Sequence, residues 1–204
     1  MNVSKFIVQD IIDICGGILL SGNENTLIEE FSKDTRTIKN DEIYVAIKGE
    51  VFNGHQFIEE SFLKGAIGCI IDEDISKDIL TKYKDKVIIK VENTIKALQD
   101  LAKYKREQYD IPVVGVTGSA GKTGTKDMIA GILSSKYKVL KSEGNLNNDI
   151  GLPLTLLKLK DHTAIVVEIG MNNFGEIRRL SNIAKPQKVS GAYSINFCQT
   201  TKNQ

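Results

Sequence analysis

The residues with most chemistry to offer lie in GVTGSAGKTGTKDMIA (115–130), where a glycine-rich turn, a lysine and several hydroxyls follow the apolar run IPVVGV (111–116) and precede a helical pattern. A strand that ends in a tight turn and enters a helix presents unpaired backbone N–H groups and the positive end of a helix dipole to an anion. Gly118 and Gly121 let the backbone approach a phosphate closely, with Ser119 and Ala120 between them and Gly124 just beyond. Lys122 can reach the terminal phosphates as a point charge, and the Thr123 hydroxyl is placed to ligate magnesium. The spacing departs from the strict G-x-x-x-x-G-K-[ST] pattern, because Val116 stands where its first glycine would be. The expectation is a variant loop, T-G-S-A-G-K-T, that binds a nucleoside triphosphate; the bland alternative is a plain glycine-rich β–α turn.

The elements that must position this loop divide near residue 106. Before it, strands are expected at 41–48, 66–72 and 86–91, separated by helices at 57–65 and 76–84. A long helix over 93–110, opened by Asn93 as N-cap, bridges to a second unit. There the pattern reads strand 111–116, helix 122–135, strand 138–143, helix 152–159, strand 163–170 and helix 174–185. Alternating strands and helices predict an α/β fold with a mostly parallel sheet. Glu168 ends the apolar run TAIVV, at the C-terminal edge of a buried strand, where ligands of open α/β sheets collect.

Composition narrows the classes of partner. The 204 residues are 41% hydrophobic and 26% charged with a net charge of +1, which gives no basic excess for nucleic acid or an anionic membrane. The N-terminal stretch has acids inside its apolar pattern, unlike a signal peptide, and no apolar run approaches the ~20 residues of a membrane span. A cytoplasmic protein without membrane insertion is expected. Cys15, Cys69 and Cys198 are far apart, with only His55 and His162 to join them, so they are read as packing residues. The lysine-rich stretch 77–90 reads as a solvated face.

The variant loop, together with KSEGNLNNDIGLPLTLL (141–157), VVEIGMNNFGEIRRLSNIAKP (166–186) and DTRTIKNDEIYVAIKGEVFNGHQFI (34–58), resembles the Mur ligase family over about residues 1–186. These are ATP-dependent amide-bond-forming enzymes of bacterial cell-wall precursor synthesis. The stretches look like the branch that adds D-alanyl-D-alanine to UDP-N-acetylmuramoyl-tripeptide; the branch that adds the third amino acid typically has Thr-Thr-Pro where Asn147-Asn148 stand. The resemblance implies a uridine-nucleotide-binding α/β domain over 1–106 and part of a P-loop-type ATP-binding domain over 107–204. It implies Lys122 and Glu168 as catalytic residues and Thr123 and Glu168 as magnesium ligands. Gly118, Ser119, Ala120, Gly121, Lys122, Thr123 and Gly124 would cradle ATP.

The same resemblance implies substrate contacts from Thr35, Arg36, Lys48, Gly49, Gly54 and His55 around a diphosphate, and from Asn147 and Asn148. Simpler roles stand beside these: a surface salt bridge for Arg36, a loop hydrogen bond for His55, and turn or cap chemistry for the asparagines. Asn172 and Asn173 share that ambiguity. The departures carry their own expectations. Gly124 stands where the family has Thr or Ser, weakening the first helical turn by roughly 1 kcal/mol relative to Ala. After Pro186 the sequence QKVSGAYSINFCQTTKNQ leaves the family pattern, and the family's C-terminal domain is absent. The chain is therefore expected to be a truncated ligase, inactive on its own and prone to self-association through an exposed sheet edge. A non-catalytic nucleotide-binding module is the alternative. An unrelated P-loop kinase or GTPase is disfavoured by the lack of D-x-x-G and N-K-x-D stretches.

Overall fold

The computed structural model describes residues 5–171 and 174–192. Asn172, Asn173 and Cys198 lie outside them. The chain opens with β1 (Phe6–Ile7) and α1 (Val8–Cys15), whose start is capped by the Asp10 carboxylate accepting from the Ile7 N–H at 3.1 Å. Then come β2 (Ile18–Ser21), β3 (Leu27–Ile28), β4 (Phe31–Ser32) and β5 (Ile43–Val45). A 3₁₀ turn, Gly54–Phe57, leads into α2 (Ile58–Leu63), so the helix expected at 57–65 is shorter and preceded by a tighter turn. β6 (Gly68–Ile71), α3 (Lys77–Lys82) and β7 (Val87–Lys90) follow. In the bridging helix α4 (Thr94–Glu107) the Asn93 side chain accepts from the Lys96 N–H, the cap its sequence position suggests.

β2, β7, β6, β5 and β4 form the first sheet in that order. It is parallel from β7 to β4, with β2 antiparallel on the edge, while β1 and β3 pair as a separate antiparallel ribbon. The first four strands have two to four residues each, too short for alternation to register in the sequence.

The second sheet is built from β8 (Val113–Gly118), α5 (Lys122–Leu133), β9 (Val139–Lys141), α6 (Gly151–Leu157), β10 (Ala164–Glu168), α7 (Glu176–Ala184) and β11 (Lys188–Ala192). Its order is β11-β8-β10-β9, and every pairing is parallel. The sequence after Pro186, for which no strand was expected, continues the sheet by pairing along β8 from Lys188 to Ala192.

The two sheets share a core. α4 inserts Leu98 and Leu101 between them, against Ile70 and Ile89 of the first sheet and Val113 and Ile165 of the second. Each such burial contributes roughly 1.5–3 kcal/mol. Polar ties reinforce the seam: Lys105 Nζ donates to the Leu157 carbonyl at 2.6 Å, and Arg106 Nε donates to the Ala184 carbonyl at 3.0 Å. α5 covers the opposite face of the second sheet, where Ala130 packs on Val116 and Val166. Among the described residues no helix is long and apolar enough to cross a membrane.

Candidate functional site

The phosphate-loop geometry follows from how β8 ends. Gly121 stands at the N-cap of α5 in the left-handed region (φ 77°), a conformation that a side chain disfavours, and it turns the chain directly into the helix. The 12-residue helix then aims its first N–H groups at the space above the sheet. Lys122 folds back and donates from Nζ to the Gly118 carbonyl at 2.9 Å. Thr123 faces the neighbouring strand, and its Oγ1 donates to Glu168 Oε2 at 2.9 Å. The other carboxylate oxygen of Glu168 accepts from Asn147 Nδ2 at 2.8 Å.

Glu168 closes β10 directly beside β8, paired in register with Val116. Its backbone N–H donates to Ser142 Oγ at 3.1 Å, and the ammonium of Lys126 holds the Ser142 carbonyl at 2.8 Å. The Asn147 loop is locked to the same strand end, because the Gly170 N–H donates to the Asn147 carbonyl at 2.7 Å. A Cβ on Gly170 would stand 2.8 Å from that oxygen, so only glycine permits the approach. An open cleft of about 560 Å³ results, lined by Gly121, Lys122, Thr123, Gly124, Asn145, Asn147, Asn148 and Glu168. Gly118, Ser119 and Ala120 complete the turn without forming part of that lining. Asn148 also does what its cap chemistry suggests, accepting the Ile150 and Gly151 N–H groups at the start of α6. Asn145 and the supporting pair Ser142 and Lys126 were not legible as site residues; the clustering of asparagines in GNLNND was the one signal for the first.

The donor set suits a hard cation. The Thr123 hydroxyl and the Glu168 carboxylate are adjacent oxygens at the mouth of the loop. Among the described residues no cluster of three or more His, Cys, Asp or Glu side chains forms a self-sufficient metal site. Magnesium needs none, since it commonly takes one or two protein oxygens and completes its shell with phosphate and water.

A second cavity of about 750 Å³ opens on the first sheet, bounded by the 33–36 loop, Tyr44, Ile47, the 49–54 loop, Phe57 and Glu60, and by Ile150 from the second unit. Arg36 lies at its edge, its guanidinium forked onto Asp34 at 2.6 and 2.9 Å; that hydrogen bonding holds the Asp34 carboxyl down at about 2. Thr35 is buried and donates to Glu60 at 3.1 Å. Gly49 and Gly54 line the cavity, and the Tyr44 hydroxyl donates to the Gly54 carbonyl at 3.0 Å.

Lys48 and His55 are not among the residues that line it, and each is engaged by neighbouring side chains or backbone. Lys48 is drawn to Glu73 at 2.9 Å. The side chain of His55 is only 7% exposed, and its ring nitrogens are both committed. Nε2 accepts the Asp72 and Glu73 N–H groups at 3.1 and 3.3 Å, and Nδ1 donates to Asn53 Oδ1 at 2.8 Å. The two backbone donors at Nε2 match an Nδ1–H tautomer, and an Asp72 carboxylate oxygen lies 3.2 Å from the same nitrogen. His55 thus ties the 53–55 turn to the 72–73 backbone.

Comparison with known proteins bears on this geometry. The Mur ligase middle domain matches residues 116–190. The UDP-N-acetylmuramoyl-tripeptide–D-alanyl-D-alanine ligase of Bacillus subtilis is 40% identical over 184 residues, covering 89% of this chain and 39% of that enzyme. Among solved structures, MurF from Acinetobacter baumannii superposes with a TM-score of 0.83 at 31% identity, over 94% of this chain and 41% of its own. MurF ligase from Thermotoga maritima, solved in complex with ADP, gives 0.67 at 35% identity over 77% of this chain and 35% of its own. The chain thus spans about two fifths of the length of the curated relatives it matches.

Proposed function

We propose, on the premise that this chain belongs to the Mur ligase family, that it carries the precursor-binding and phosphate-binding parts of an ATP-dependent ligase that joins D-alanyl-D-alanine to UDP-N-acetylmuramoyl-tripeptide. The observation that carries the proposal is the Glu168 carboxylate gripped by Thr123 and Asn147 at the mouth of the glycine turn. A turn of purely structural purpose has no use for a carboxylate brought that close to its first helical hydroxyl. The ADP seen with the Thermotoga relative supports the same assignment for residues 107–204, and the cavity around Thr35 and Arg36 supports precursor binding by residues 1–106.

In this function the amides of the 118–124 loop and Lys122 hold the ATP phosphates, while Thr123 and Glu168 hold magnesium, which when bound neutralises phosphate charge. The tripeptide carboxylate attacks the γ-phosphorus and ADP departs, leaving an acyl phosphate. The amine of D-alanyl-D-alanine then attacks the acyl carbon, a proton is lost from nitrogen, and inorganic phosphate leaves. The chain's task is positioning and charge compensation. Asn147 keeps Glu168 turned toward the loop, and Arg36 releases Asp34 to meet the diphosphate of the precursor.

Isothermal titration of the 204-residue chain with Mg-ATP tests the first half. Lys122→Ala and Glu168→Gln are each expected to weaken binding by about tenfold or more, in line with loss of a charge-assisted contact. Affinity unchanged in both variants would remove the phosphate-site assignment. A separate titration with the UDP-linked tripeptide, in wild type and Arg36→Ala, tests the second cavity in the same way.

A further inference from the structure

One turn below the phosphate loop, α5 carries a second lysine that the proposed function leaves unused. Lys126 is 2% exposed, and its ammonium donates to the Ser142 carbonyl at 2.8 Å with the Asp127 carboxylate 3.5 Å away. Burying an ammonium is costly unless well-placed partners compensate it, so its position calls for a reason. Ser142 follows β9, and its hydroxyl accepts the backbone N–H of Glu168 at 3.1 Å. Three residues before Lys126 on the same helix face, Thr123 donates to the carboxylate of that same glutamate. The links close a circuit: from Thr123 one helical turn to Lys126, across to Ser142, on to the Glu168 backbone, and back through its side chain to Thr123.

Lys126 is not among the residues that line the cleft, so it acts on a ligand only through others. We infer that Lys126 is a positioning residue: it pins α5 to the end of β9 and thereby sets the separation of the Thr123 hydroxyl and the Glu168 carboxylate, the two oxygens assigned to a divalent cation. The inference rests on the nucleotide-and-cation assignment of the cleft. It divides the binding energy in a way that a general packing role does not. Phosphate contacts from the loop amides and Lys122 belong to the continuous turn from the end of β8 into α5 and survive a small shift of α5 against the end of β9. A cation shared by α5 and β10 does not survive it.

The test is titration of the full chain with ATP in EDTA and with ATP in excess magnesium, for wild type, Lys126→Met, Ser142→Ala, Glu168→Gln and the double variant Lys126→Met/Glu168→Gln. Lys126→Met is expected to lose about tenfold of the magnesium-dependent gain, the usual effect of removing an outer-sphere support, while affinity in EDTA stays within about twofold. The double variant is expected to bind no more weakly than Glu168→Gln, because both changes break the same circuit. Ser142→Ala keeps the carbonyl that Lys126 holds and removes only the hydroxyl on the Glu168 N–H, so it reports on the circuit even if Lys126→Met fails to fold. Equal losses with and without magnesium, or additive losses in the double variant, overturn the inference. A magnesium gain that Glu168→Gln abolishes and that Lys126→Met and Ser142→Ala leave intact overturns it alone; no magnesium gain in wild type overturns the cation assignment with it.

Discussion

Lys105 offers a quantitative check on the seam between the two sheets. Its ammonium is fully buried on α4 and donates to the Leu157 carbonyl at the C-terminal end of α6, the helix whose opposite end carries the asparagine loop of the cleft. Burial, with a smaller push from the charge of Lys160, brings its pKa down from 10.5 to about 8. The unfolded chain keeps this proton to about pH 10.4, whereas the folded chain releases it near pH 8. Below pH 8 both states bind the proton and the folded state bears the full desolvation cost. Above it the unfolded state binds more protons, so stability rises with pH. A gap of about two units at ~1.4 kcal/mol per unit bounds the effect at roughly 3 kcal/mol, of which about 2 kcal/mol accrues between pH 7 and pH 10. Lys105→Met removes the titration while filling the same volume, leaving the Leu157 carbonyl short of a donor at a cost of about 1 kcal/mol. Urea unfolding followed by far-ultraviolet circular dichroism at pH 7, 8, 9 and 10 is expected to show wild type gaining about 2 kcal/mol on Lys105→Met across that range. Because other titrating groups are common to both proteins, the difference isolates this lysine. Two parallel stability curves would refute the claim that a desolvated ammonium ties α4 to α6.

Gly131 lies exposed in the interior of α5, and a Cβ there meets nothing within 4 Å. Gly131→Ala is expected to raise stability by about 0.5–1 kcal/mol, seen as a melting temperature higher by roughly 1–4 °C, with Mg-ATP affinity unchanged; a lower melting temperature contradicts the open geometry. His55→Ala strands the N–H groups of Asp72 and Glu73 and is expected to destabilise the fold by about 2 kcal/mol in chemical denaturation. An unaltered midpoint would mean that these two N–H groups find other partners once the ring is gone. Gly170→Ala forces a Cβ against the Asn147 carbonyl, so Mg-ATP affinity in titration calorimetry is expected to fall about tenfold, as for other displaced supports of a metal ligand; full affinity would mean that Asn147 does not set the Glu168 rotamer.

What was legible in the sequence is what polarity and period decide locally. The strand–turn–helix order around 111–130 placed the loop, and the apolar run ending at Glu168 placed its carboxylate, since a parallel strand ends where the glycine turn begins. The long helix and its Asn93 cap were equally plain. The strands from Phe6 to Ser32 were not, because two to four residues form a strand only when a neighbour supplies the ladder. The surroundings of His55 were hidden for a related reason. A histidine beside glycines in a loop is compatible with a ligand, and only the tertiary approach of the 72–73 backbone shows its lone pair already taken. Lys126 escaped notice because a lysine in a helix reads as solvated, whereas its surroundings come from β9, sixteen residues away.

The placement of Glu168 is more tightly determined than its single position suggests. β10 lies between β8 and β9, so α5 must cross β10 on its way to β9 and packs on one face of it. Side chains of a strand alternate between faces. Ile165 and Val167 join the core shared with α4, while Val166 packs under α5 against Ala130 and Val116. Glu168, two residues beyond Val166, therefore emerges on the α5 side, where Thr123 stands at the first turn of the helix. A slip of one residue in β10 would bury the carboxylate in the shared core and turn Val167 toward α5, reversing every contact at once. Such a slip is opposed by the packing of Ile165, Val166 and Val167 and by the cost of burying the Glu168 carboxylate without its partners. The geometry of the cleft is thus held in part by residues that do not line it: exchanging Ile165 or Val167 for a polar residue is expected to disturb the cleft through register, even with each loop residue intact.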